Sequence, residues 1–77
     1  MKTMDKLEFY QRLAEILDTE EVKPENVLKD FDGWDSLAVL SVLALADSKY
    51  SVSINAEEIR SVVTAMDLAN LIEAKQK

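Results

Sequence analysis

The sequence predicts an all-α fold: a small four-helix bundle with three longer helices, a short third helix and a long first loop. Three observations predict it. Glycine and proline occur once each in 77 residues, and β-branched residues form no long alternating runs, a composition that favours helix. Apolar residues recur at helical spacing near the start of the chain and again through its middle. Three later stretches, Asp35-Ser36, Asn55 with Glu58, and Thr64 with Asp67, carry helix-start chemistry, in which a side chain satisfies an unpaired amide of the first turn. A bundle is the most economical way to bury the resulting apolar faces. The length allows one domain, residues 1–77, with one small core.

The first helix is predicted over residues 5–17. Phe9, Leu13, Ile16 and Leu17 fall at i, i+4, i+7 and i+8, with Leu7, Tyr10 and Ala14 flanking them, which draws one apolar stripe. Lys6, Glu8, Gln11, Arg12 and Glu15 cover the other face; that face is not predominantly basic, so the stripe reads as core and not as a membrane-surface helix. From Asp18 to Trp34 the periodicity breaks, with Pro24 ending any continuing helix. Val22, Val27, Leu28, Phe31 and Trp34 recur through this loop, so it is expected to pack onto the bundle, with a short helical turn around residues 24–28. Asp30, Asp32 and Asp35 collect at its end; turns and caps account for them better than a cation site.

The second helix is predicted over residues 36–49 and is apolar on nearly every side. A surface helix needs fewer apolar positions. Val39, Val42, Leu43 and Ala46 are assigned to the core, and Leu37, Leu40 and Ala44 to an exposed stripe beginning beside Ser36. Residues 50–54 alternate as Tyr50, Val52 and Ile54 against Ser51 and Ser53; with no partner strand in the chain they are read as a connecting loop. Asn55 caps a short third helix ending near Arg60. Thr64 opens a last helix to about Ala74, with Leu68, Leu71 and Ile72 as its buried face and Lys75 and Lys77 near its C-terminal end.

With 9 basic and 15 acidic residues, the net charge is −6. Phosphate backbones and anionic bilayers call for Lys and Arg, so neither nucleic acid nor a membrane surface is an expected partner; a protein with a basic docking patch is the natural complement. The absence of cysteine removes disulfides, thiol chemistry and Cys-based zinc sites, and the absence of histidine removes the commonest general base. No resident metal is expected. The longest apolar run is too short to span a bilayer, and residues 1–6 lack the hydrophobic stretch of a signal peptide. A soluble, cytoplasmic, monomeric chain is the expectation, and ending in Lys-Gln-Lys suits a free-standing one. A small enzyme is disfavoured, because no nucleophile–base pair is recognisable.

The candidate site is Gly33-Trp34-Asp35-Ser36-Leu37. With Asp35 as N-cap, Ser36 takes the first helical position, where free amides and the helix dipole would favour an anion attached to its hydroxyl. Asp-Ser at a helix start is also ordinary capping chemistry, so these residues alone leave both readings open.

Over nearly its whole length the chain resembles the acyl carrier protein family. Asp35-Ser36-Leu37 matches the family's attachment motif, placed after a long first loop and at the head of the second helix. Residues 50–54 resemble the segment that closes that helix, and Thr64-Ala65-Met66-Asp67-Leu68 through Ile72-Glu73 resembles the last helix. The resemblance implies a 4′-phosphopantetheine on Ser36, added by a phosphopantetheinyl transferase (a holo-carrier synthase) that uses coenzyme A, with an acyl group carried as a thioester on the arm's thiol and presented to loading and transferring enzymes. It implies that Asp35 helps hold the transferase's metal ion and that Leu37 flanks the attachment. Leu37, Leu40 and Ala44 are expected to face partners because a small bundle cannot cover so apolar a helix, with Trp34, Asp47, Glu57 and Glu58 expected on the same partner surface. The chain also departs from the family. Ala38, Ser41 and Ser48 stand where acids are usual on the second helix, leaving Asp35 and Asp47, and Lys49 is basic. With Trp34 before the motif, these departures point to a specialised carrier. A peptidyl or aminoacyl carrier, or an unmodified interaction module of the same fold, are the alternatives.

Overall fold

A computed structural model describes residues 5–76. Its helices are α1 (Lys6–Ile16), α2 (Ser36–Tyr50), α3 (Ala56–Ser61) and α4 (Ala65–Lys75), with a 3-10 turn at Leu28–Asp30. Among the described residues the only β pairing is an isolated antiparallel bridge, Val27 to Thr64. The predicted all-helical bundle is therefore the observed one, and α1 packs against α2 and α4 while α2 packs against α3.

Asp5 caps α1 by accepting from the Glu8 amide at 3.3 Å. Phe9, Tyr10, Leu13 and Ala14 form its buried face, followed by Leu17. Leu7 is 69% exposed: it sits about 200° round the helix from Phe9 and so lies off the stripe it was expected to flank. Ile16 is half-buried. Asp18 takes a left-handed conformation, φ 56°, and lets the Thr19 amide donate to Ala14 and the Asp18 amide to Glu15. That pair of hydrogen bonds is the Schellman closure of a helix end.

The long loop is stitched into the fold by its backbone. Leu28 donates to the Val63 carbonyl, while Ala65 and Met66 donate to the carbonyls of Asn26 and Pro24, each at 2.9 Å. The opening amides of α4, which no intrahelical acceptor can reach, are thus satisfied by the loop. Val22 and Leu28 are buried, and Val27, Phe31 and Trp34 are half-buried. The helical turn expected at residues 24–28 falls later, at Leu28–Asp30. Residues 23–26 instead close on themselves, the Lys23 amide donating to Asn26 Oδ1 and the Asn26 amide to the Lys23 carbonyl.

Along α2 the buried line is Ala38, Val42, Ala46 and Tyr50, an i, i+4 row of mostly small residues that brings neighbouring helices close. Val39 and Leu43, assigned to the core from the sequence, are only half-buried at its margins. Tyr50 belongs to the helix and not to the connector. It packs edge-on to Phe9, with ring centroids 6.2 Å apart. Ser51 ends α2 in a left-handed conformation, φ 57°, and the chain runs as a loop to Asn55. Asn55 with Glu58, and Thr64 with Asp67, form the two capping boxes. Ile59 anchors α3. On α4 the buried residues are Ala65, Leu68, Ala69 and Ile72, with Leu71 half-buried where full burial was expected. Ion pairs join the periphery: Lys6 to Glu73, Lys49 to Glu8, and Lys75 to Glu58.

Candidate functional site at the head of α2

Ser36 is exposed and is the first residue of the 15-residue α2. Its position follows from three local features. Asp35 is extended, and its Oδ1 accepts from the Ala38 amide at 3.0 Å, which caps the helix. The Asp35 carbonyl accepts from Val39 at 3.0 Å and starts the helical ladder. Before it, the Trp34 amide donates to Phe31 and the Asp35 amide to Gly33, both at 3.0 Å, so the chain turns tightly into the helix.

Gly33 is what lets this turn sit where it does. A Cβ there would lie 2.5 Å from the Leu17 carbonyl oxygen, so the end of the loop is pressed against the end of α1. In the sequence this glycine is only the first residue of the motif; nothing there marks the contact with Leu17.

The amides of Ser36 and Leu37 donate to no acceptor among the described residues, and Asp35 Oδ2 accepts none. Next to Ser36 is an apolar face: Leu37 is 73% and Leu40 60% exposed, with Ser41, Ala44, Asp47 and Ser48 exposed beyond them. Asp47 is the one carboxylate on that outer surface after the Asp35 cap. The other residues expected at the site are arranged differently. Trp34 is half-buried against the core. Glu57 is exposed, but Glu58 is already engaged by Lys75 Nζ at 2.7 Å and by the Asn55 amide. The hydrogen bond from Lys75 holds the Glu58 carboxyl below its ordinary range. Ala38, read as a surface position where an acid is usual, is 3% exposed and belongs to the core. Its i+4 spacing to Val42 and Ala46 was the signal for that. Asp30, Asp32 and Asp35 are not gathered into a metal-binding group among the described residues.

No protein-family model matches the chain. It is 34% identical over 77 residues to an acyl carrier protein of Micrococcus luteus, covering 92% of this chain and 95% of that one. It is 34% identical over 73 residues to an acyl carrier protein of Myxococcus xanthus, covering 87% and 92%. The solution structure of a holo acyl carrier protein from Geobacter metallireducens shares the fold, with a TM-score of 0.71 at 23% identity over 94% of this chain and 86% of that one. Fold and site therefore define a small helical protein that presents a serine at a helix start. The chain belongs to the acyl carrier protein family, whose members are carriers and not enzymes.

Proposed function

We propose that Ser36 carries a 4′-phosphopantetheine arm and that the protein holds an acyl group as a thioester on it, for delivery between biosynthetic enzymes. The observation that carries this reading is the exposed Ser36 at the head of α2, beside two amides with no acceptor among the described residues. The residues fit the group. A phosphodiester at Ser36 meets free N–H donors and the positive end of the helix dipole. The arm supplies the thiol, which the chain lacks entirely.

The chain's own residues then have simple tasks. Asp35 fixes the helix start through Oδ1, and its free Oδ2 is available to the metal ion of the attaching transferase. No histidine is present to activate Ser36, so attachment depends on that other enzyme. Leu37, Leu40 and Ala44 form the surface a partner meets first, and Asp47 and Glu57 supply the nearby charge. Because Ser41 and Ser48 are neutral and Ala38 is buried, docking rests more on apolar contact than is usual for the family. This supports a carrier matched to its own enzymes, whether the cargo is a fatty, polyketide or aminoacyl group.

Intact mass after incubation with coenzyme A and a broad-specificity transferase tests the reading. The parent chain gains one phosphopantetheine and Ser36→Ala gains none. A folded parent that stays unmodified with several transferases would favour the interaction module.

A further inference from the structure

We propose that the groove between α1 and the start of the long loop docks a cationic amphipathic segment of a partner protein. The groove has a volume of about 680 Å³ and is open to solvent. Leu7, Tyr10 and Val22 give it an apolar lining, and Glu15, Glu20 and Glu21 line it with carboxylates; among the described residues no Lys or Arg lines it. Arg12, on the adjoining face of α1, pairs with Glu15 at 3.5 Å.

Apolar lining with acids of one sign specifies the occupant's chemistry: an aliphatic or aromatic side chain seated against Leu7 and Tyr10, with Lys or Arg on either side of it. The same acids repel phosphate backbones and anionic bilayers. The surface is built in advance. The two hydrogen bonds around the left-handed Asp18 fix how the chain leaves α1, and Val22 is buried just beyond, so residues 19–22 are held beside the helix. Leu7 is among the largest exposed apolar side chains, and the core makes no use of it.

No residue of α2 lines this groove. A partner seated there leaves Ser36, Leu37 and Leu40 free, so it can hold the carrier in place while a second enzyme works on the arm. That consequence rests on the proposed carrier function, whereas the docking itself does not require Ser36 to be modified.

The test is a titration of the isotope-labelled, unmodified chain with an amphipathic Leu/Lys peptide, followed through backbone amide shifts, with a Leu/Glu peptide as control. Saturable shifts are expected at Leu7, Gln11, Glu15, Glu20 and Glu21 with the cationic peptide alone. Glu15→Gln/Glu20→Gln/Glu21→Gln weakens binding about tenfold. Glu25→Gln/Asp30→Asn/Asp32→Asn removes equal charge at exposed positions outside the groove and changes affinity by less than about twofold. Equal weakening by both triple variants would reduce the effect to net charge and overturn the proposal. Shifts centred on α2 would overturn it, as would the same amides shifting with protein concentration alone, which would make a second copy the occupant.

Discussion

Replacing Gly33 with alanine isolates the contact that sets the position of Ser36. The new Cβ would meet the Leu17 carbonyl oxygen at 2.5 Å, its carbon at 3.1 Å and its Cα at 3.2 Å. These are backbone atoms, so no rotamer change relieves them. Reaching the 3.4 Å of ordinary contact requires a retreat of about 0.9 Å. Leu17 cannot easily give way: it is buried, its amide is bonded to Leu13, and the turn after it is closed by two further hydrogen bonds. Overpacking of this kind costs about 2 kcal/mol, which in a domain of this size lowers Tm by roughly 8–16 °C. The sign is diagnostic, because Gly→Ala at an unstrained position stabilises by about 0.4–1 kcal/mol through the unfolded chain. Thermal unfolding followed by circular dichroism gives the magnitude, and the rate of Ser36 modification reports whether the turn has moved. A variant that melts at or above the parent's Tm would refute the reasoning.

Asp18 and Ser51 both occupy left-handed backbone, and Asp18→Gly and Ser51→Gly should each raise stability by about 0.5 kcal/mol; they lie in different parts of the fold, so urea midpoints should show the gains adding. Leu40→Asp should leave helix content and Tm nearly unchanged while slowing Ser36 modification, whereas Val42→Asp, fully buried, should unfold the chain, because an unpaired buried carboxylate costs several kcal/mol; equal unfolding by both would mean the faces of α2 are misassigned. The Tyr50 hydroxyl is buried with no partner among the described residues, and burial, with Glu8 and Asp5 adding to it, raises its pKa above 10.0. The folded state then keeps a proton that the unfolded chain loses, so this contribution is intact below pH 10 and lost above it; Tyr50→Phe should flatten the alkaline fall of Tm and match or exceed the parent's stability at neutral pH. Association with a cognate enzyme should slow by less than about threefold between low and physiological salt, and Ser41→Glu with Ser48→Glu should steepen that dependence in stopped-flow measurements.

The helix starts were the most legible part of the fold, because capping is local chemistry: Asp35, Asn55 and Thr64 each accept from the amide three residues on, as their side chains dictate. Serine at the head of α2 followed directly. Burial around α2 was less legible. A helix apolar on every side gives periodicity little contrast, and alanine suits either a surface or a tight core. The family pattern of acids makes Ala38 a surface position, and this weak contrast does not oppose it, although its spacing to Val42, Ala46 and Tyr50 puts it inside. That error has a consequence, since an acid at position 38 would break the core and not restore a docking charge. The loop's anchoring was not legible, because it is made of backbone atoms: carbonyls of Pro24 and Asn26 meeting amides of α4, and Gly33 meeting Leu17. Side-chain patterns carry no record of such contacts.

Those backbone contacts determine what holds Ser36 in place. An exposed helix start has few constraints of its own, and its first turn frays readily. Here the segment leading into α2 is fixed at two separate points: its middle is bonded to the head of α4, and its end abuts the tail of α1. Neither point involves the outer face of α2, so Leu37 and Leu40 are free of any structural duty and can vary with the partner. The scaffold and the surface proposed for recognition are thus encoded by different residues. A substitution on the outer face should alter which enzymes are served, whereas one at Gly33 should alter whether the serine is presented at all.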